Sequence, residues 1–166
     1  SLEEAEGYDL ITMGRPEGPG CYCYPNQVLR TILQTLAGSY PVMLVDNEAG
    51  LEHLSRRLLR RLDLMVMVSG PGPRDLKTAA RIRELSRELK IEVGREALIV
   101  NRSAAGGKGD WKKMLPPGLE ISGVLPADPA VEEYDLEEKS LLELPDESRI
   151  VTKSTALFDR ITEGVL

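Results

Sequence analysis

What most constrains the fold of this chain is an alternation of short apolar runs with longer amphipathic ones. Runs dominated by Val, Ile, Leu and Met occupy residues 8–13, 42–45, 64–68, 97–100 and 119–125. They lack the polar alternation of a half-solvated strand, so they read as strands buried on both faces. Between them, residues 26–37, 51–61, 74–90 and 154–163 repeat apolar side chains at helical spacing. In the third of these, Leu76, Ala79, Ala80, Ile82, Leu85 and Leu89 form the apolar stripe, and Arg81, Arg83, Glu84, Arg87, Glu88 and Lys90 cover the other face. Strand and helix in alternation predict an α/β fold, a mostly parallel sheet flanked by helices. With 166 residues the expectation is one domain spanning 1–166.

Glycine- and proline-rich segments at 15–20, 69–73 and 103–109 each follow a strand candidate. In open α/β sheets, loops at the carboxyl ends of strands are where ligands bind, so these loops locate the expected site. The acidic stretch 132–143 reads as a solvated helix face.

Charge and composition remove several function classes. Against 27 Asp and Glu stand 21 Lys and Arg, a net −6, which leaves no basic field for a nucleic acid or an anionic membrane. Seven aromatic residues are too few for a base-stacking platform. No apolar run approaches the roughly 18 residues of a spanning helix, and the first residues, Ser-Leu-Glu-Glu-Ala-Glu, do not read as a signal peptide. A cytoplasmic protein is expected, with Cys21 and Cys23 pointing to metal or redox chemistry rather than a disulfide framework.

Asp46 ends an apolar run and Gly50 follows four residues later. A carboxylate at a strand's carboxyl end can hold magnesium through its water shell, and a glycine lets a backbone N–H approach a terminal phosphate. The same pair also reads as an ordinary turn. No segment matches the phosphate loop G-x-x-x-x-G-K-[ST]; the Gly-Gly-Lys-Gly at 106–109 is followed by Asp110 and reads as a flexible loop.

Cys21 and Cys23 sit two apart, so in an extended segment their sulfurs face one side. Two thiolates fill half of a tetrahedral site, and a twofold dimer would supply four. A strained disulfide or two inert thiols remain open. The lone His53 reads as a surface or capping residue, and Arg56, Arg57, Arg60 and Arg61 read as partners for acidic neighbours or a second chain. Asn101 and Arg102 end one strand candidate, and Pro126 to Asp128 end the next; an Asn amide can match a purine edge and a Pro ring can lie against it.

In order, the segments 13–23 (Met-Gly-Arg-Pro-Glu-Gly-Pro-Gly-Cys-Tyr-Cys), 45–57 (Val-Asp-Asn-Glu-Ala-Gly-Leu-Glu-His-Leu-Ser-Arg-Arg), 78–83 (Thr-Ala-Ala-Arg-Ile-Arg) and 100–102 (Val-Asn-Arg) resemble the CooC-type nickel-insertion ATPases. These belong to the MinD/ParA and nitrogenase iron-protein group of dimeric P-loop ATPases. The resemblance runs from about residue 8 to about 144 and covers the family's carboxyl-terminal portion. It implies a MinD/ParA-like sheet that is incomplete at the amino terminus, since a family member carries its phosphate-loop strand earlier in the chain. Cys21 and Cys23 would bind nickel or zinc at a homodimer interface. Asp46 would be the catalytic switch carboxylate beside magnesium, and Gly50 would face the γ-phosphate. Asn101, Arg102, Pro126 and Asp128 would contact the base of ATP or ADP. The implied client is carbon monoxide dehydrogenase or a related nickel enzyme, and without a phosphate loop this chain alone is expected not to hydrolyse ATP. A non-catalytic metal-binding regulatory module and a MinD/ParA-type positioning ATPase are the competing expectations.

Overall fold

Among the described residues the central sheet is parallel, has three strands, and is built from consecutive units of the chain. In the computed structural model, which describes residues 2–12, 23–36, 38–47, 60–104 and 110–165 (residue 2 and residues 23–26 by backbone alone), β3 (Arg61–Ser69) pairs with β4 (Glu92–Ser103), and β4 with β5 (Ile121–Pro126). The expected strands at 64–68, 97–100 and 119–125 lie in these three, the last shifted by two residues at its start. Helix α2 (Pro73–Glu88) crosses between β3 and β4, starting with Pro73 in a first turn where a missing N–H costs no hydrogen bond. After β5 come α3 (Pro129–Leu136) and α4 (Arg149–Thr162). Short 3-10 turns fall at Trp111–Met114 and Leu141–Glu143.

Side-chain alternation along the strands divides the core into two layers. Met65, Met67, Leu98 and Val100 point to one face and pack with Leu76 and Ala79 of α2 and with Leu119. Ala97, Ile99 and Leu125 point to the other and pack with Leu157 and Ile161 of α4. Residues Ala97 through Val100 are each at most 2% exposed, which is why this run of β4 tolerates no polar residue. Helix α4 begins at Arg149, five residues before the expected 154, because Ile150 also packs on the Leu157 and Ile161 layer. At Gly123 a Cβ would run into the side chain of Leu157, so a larger residue there would force that buried leucine to move.

Three expectations need correction. Residues 8–13 do not join the parallel sheet: β2 (Tyr8–Ile11) pairs antiparallel with β1 (Leu2–Ala5), Ala5 opposite Tyr8. A two-residue connection can join only antiparallel strands, and Gly7 makes it with φ of +88°. Residues 42–45 form no regular element and belong to no sheet, and Leu44 is 91% exposed. An apolar β-prone run becomes a strand only where a neighbour accepts its hydrogen bonds, and among the described residues none does. The outer edge of β3 likewise carries no strand among the described residues. Arg83, assigned above to the solvent face of α2, is instead 7% exposed.

Helix α1 (Cys23–Leu36) starts three residues earlier than the expected 26, with Pro25 accommodated in its first turn. The expected helix at 51–61 lies outside the described residues for 51–59, and its last residue, Arg61, opens β3. Beyond α1, Tyr40 donates its hydroxyl hydrogen bond to the Asp9 carboxylate on β2. That bond, then loss of solvent, then the charges of Asp9 and Glu4 raise the Tyr40 pKa above its ordinary value near 10. Because the folded value is the higher one, the stabilisation is complete below pH ~10 and lost as the pH rises through the raised value. Accordingly, the phenolate component that Tyr40→Phe removes from an absorbance titration should lie above the ordinary tyrosine value, and Asp9→Asn should lower it; a component lost at the ordinary value would mean that the contact does not form in solution.

Candidate functional site

Parallel pairing brings the carboxyl ends of β3, β4 and β5 to one side of the sheet. Ser69 registers with Val100, Val100 with Val124, and Ser103 with Pro126. Four of the residues selected from sequence therefore meet on adjacent strand ends: Asn101 and Arg102 on β4, Pro126 closing β5, and Asp128 just beyond. The geometry arises from an irregularity. Between Val100 and Ser103 the ladder to β5 shifts register, so Asn101 and Arg102 stand out of the regular pairing. Arg102 takes a left-handed backbone, φ +54°, and the Asn101 side-chain oxygen accepts a hydrogen bond from its N–H at 2.9 Å. A non-glycine residue held there costs on the order of 1 kcal/mol and marks a constrained position. The backbone N–H of Ala127 then donates to the Ser103 carbonyl at 2.9 Å, locking the Pro126–Asp128 turn against the end of β4.

Asp128 has a structural duty. Its carboxylate accepts from the Ala130 N–H at 3.0 Å and caps α3, whose second residue that is. Asp128→Ala should cost about 1 kcal/mol, read as a lower urea midpoint with an unchanged m-value; no shift would mean that another group takes over the cap.

On the neighbouring strand end, the loop from Ser69 to Pro73 folds around a carboxylate. A Cβ on Gly70 would lie 2.5 Å, and one on Gly72 2.9 Å, from Oδ2 of Asp75. The two glycines thus let backbone pass close to that side chain, at the amino end of α2. The Gly-Pro-Gly-Pro punctuation located this loop in the sequence, but nothing there singled out Asp75.

Asp46 lies in the irregular segment 42–47 and is exposed. No hydrogen bond or ion pair among the described residues ties it to the β4 and β5 ends. Cys23 opens α1 and is described by backbone alone, while Cys21, Gly50, His53, Arg56 and Arg57 lie outside the described residues. Among the described residues no three His, Cys, Asp or Glu side chains are grouped to hold a metal. No helix among them is long and apolar enough to cross a membrane.

No family model matches the chain. It is 36% identical over 165 residues to an ATP-binding protein of Methanocaldococcus jannaschii, covering 96% of this chain and 64% of that protein. It is 32% identical over 166 residues to the carbon monoxide dehydrogenase accessory protein CooC of Rhodospirillum rubrum, covering 96% of this chain and 62% of that one. The chain thus spans somewhat under two thirds of the length of these relatives. Among solved structures, a ParA family ATPase from Chlorobium tepidum superposes with a TM-score of 0.69 at 22% identity, over 92% of this chain and 63% of that one. The MinD cell division protein of Aquifex aeolicus gives 0.66 at 18% identity, over 83% and 61%. The fold is that of the MinD/ParA P-loop ATPases, with the parallel sheet flanked by helices as expected from the alternation of the sequence. In sequence the chain is similar to an archaeal ATP-binding protein and to CooC, and in fold to the MinD and ParA ATPases.

Proposed function

We propose that this chain works within an ATP-dependent factor that inserts nickel into carbon monoxide dehydrogenase or a related nickel enzyme. The carrying observation is its 32% identity, over nearly its whole length, to a carbon monoxide dehydrogenase accessory protein. Convergence of Asn101, Arg102 and Pro126 on adjacent strand ends supports a nucleotide at that edge. In this reading the Asn101 amide and the Pro126 ring meet the base of ATP or ADP, with Arg102 and Asp128 beside them. Asp46 holds magnesium through its water shell and the Gly50 N–H faces the terminal phosphate. Cys21 and Cys23 of two chains supply four thiolates to the nickel or zinc ion at a homodimer interface, the ion being cargo rather than a resident group.

Binding ATP would close the dimer and hydrolysis would release the ion to its client. Charge neutralisation of the phosphates requires a cradle that these 166 residues do not contain. The chemistry assigned to this chain is therefore that of the base, the magnesium and γ-phosphate contacts of Asp46 and Gly50, and the thiolate-bound metal, without the cradle that hydrolysis needs.

Native mass spectrometry of reduced, oxygen-free protein with added nickel or zinc tests the reading. The expected species is a dimer with one metal per two chains, abolished by Cys21→Ser or Cys23→Ser. A monomer without metal under every condition refutes the bridged site. Metal binding that survives both substitutions places the ion elsewhere.

A further inference from the structure

Three leucines on one short stretch of chain face water: Leu136 at the end of α3 is 86% exposed, and Leu141 and Leu142 in the following 3-10 turn are 51% and 94% exposed. Exposed leucines in a frayed tail would mean little, but this stretch is fastened from within. The Lys139 N–H donates to the Tyr134 carbonyl at 2.9 Å, and the Leu142 N–H to the Ser140 hydroxyl at 3.3 Å. The Glu143 N–H donates to the Ser140 carbonyl at 3.0 Å, and Leu144, 8% exposed, anchors the end of the turn. The backbone therefore holds Leu141 and Leu142 outward while satisfying its own polar groups. Exposed apolar surface set among polar residues marks an interaction site where it is grouped rather than scattered.

The charge around them specifies the partner. Residues 132–147 hold eight carboxylates (two before Tyr134, three between Asp135 and Glu138, and Glu143, Asp146 and Glu147) against a single cation, Lys139. That cation is already engaged, paired with Glu137 at 2.5 Å and lying 5.5 Å over the Tyr134 ring. The exposed leucines thus lie in a stretch of chain with a strong excess of negative charge. None of these residues takes part in the site described above, and this stretch lies beyond Asp128, the last residue assigned to the nucleotide.

We propose that the Leu136, Leu141 and Leu142 surface docks a basic amphipathic segment of a partner protein, its apolar side chains on the leucines and its Lys or Arg residues on the surrounding carboxylates. A helix is the economical form for such a segment, because residues three and four apart present one apolar stripe with cations flanking it. The carboxylates steer the encounter and the leucines supply the buried contact.

The probe is a synthetic helical peptide of about sixteen residues with Leu on one face and Lys on the other. It is titrated into isotope-labelled chain and followed by backbone amide shifts at about 0.15 M salt, where long-range attraction is screened. Shifts should concentrate in residues 132–147. The double variant Leu136→Ser, Leu142→Ser should weaken binding about tenfold or more, while a peptide with the same composition and scattered leucines should bind the native chain as weakly as the helical peptide binds the variant. Because both leucines are exposed, the variant should keep the native spectrum elsewhere. Shifts spread over all acidic surfaces, or equal affinity for native and variant chains, would overturn the proposal by reducing the contact to net charge. Self-association of the free chain that disappears in the double variant would also overturn it, assigning the patch to a second copy.

Discussion

Replacing Arg83 with Met should destabilise the protein by about 3 kcal/mol, the largest effect expected of any charged residue described in the fold. Arg83 sits on α2 with its side chain 9% exposed and spreads its guanidinium over three acceptors. Nε donates to a Glu96 carboxylate oxygen on β4 at 2.6 Å. The two terminal nitrogens donate to the carbonyls of Pro117 at 3.3 Å and Gly118 at 2.8 Å, in the turn that leads into β5. One planar fork therefore joins the crossover helix, the central strand and the entry to the next strand. Truncation leaves two carbonyls short of a donor and Glu96 short of its closest cation. Arg87, 3.6 Å from the other Glu96 oxygen and itself mostly exposed, compensates weakly. Arg83→Lys should recover less than half of the loss, since an ammonium cannot reach three acceptors in one plane. Pairing Arg83→Met with Glu96→Gln should be milder than the single change, because the stranded charge is gone. Urea unfolding measures all three; a loss below about 1 kcal/mol for Arg83→Met would place the pair in the class of weak surface bridges.

A comparable loss, about 3 to 4 kcal/mol, is expected of Leu98→Ala. Leu98 has no exposed surface and lies mid-strand in β4 among Met65, Met67, Leu76 and Val100. Its neighbours are held by strand pairing on both sides, so the space vacated by the truncated side chain cannot close by backbone movement. The cavity term then adds to the lost transfer energy. Truncation of Val68 at the open edge of β3, where the side chain is 61% exposed, should cost far less. Equal urea midpoints for Val68→Ala and Leu98→Ala would refute the layered core.

The parallel strands were legible because each is a short apolar run bounded by turn residues, and the Ala97–Val100 run reads as doubly buried because it is. Helix α2 shows where such reading fails. Its buried line is Leu76, Ala79, Arg83 and Ser86, a stripe whose second half is polar. Hydropathy alone turned that stripe toward Ile82, Leu85 and Leu89, which are only half-buried. What brings Arg83 inside is a set of acceptors on β4 and in the 116–119 turn, remote in sequence and invisible to periodicity. Residues 42–45 failed for a related reason, since an apolar run carries no record of whether a neighbour will pair with it.

At the site, the strand-end residues Asn101 and Pro126 follow from topology once the sheet is parallel. The register shift that sets Asn101 and Arg102 out of the ladder does not, because a left-handed arginine leaves no mark in the sequence. Asp128 was legible as a polar residue in a turn after a strand, and its capping bond becomes evident only when α3 is seen to start at Pro129.

The spacing of the paired strands has a bearing on how the chain acquires its structure over time. Each β3 residue meets a β4 partner about thirty positions along, and β4 meets β5 after a shorter interval. Every strand pair in the central sheet is thus closed by a loop of modest length, whose entropy cost grows only slowly with size. Parallel pairs of this separation are still non-local contacts, rewarded only after the crossover has been ordered, so β4, paired on both sides around Leu98, is the strand on which formation of the whole sheet waits.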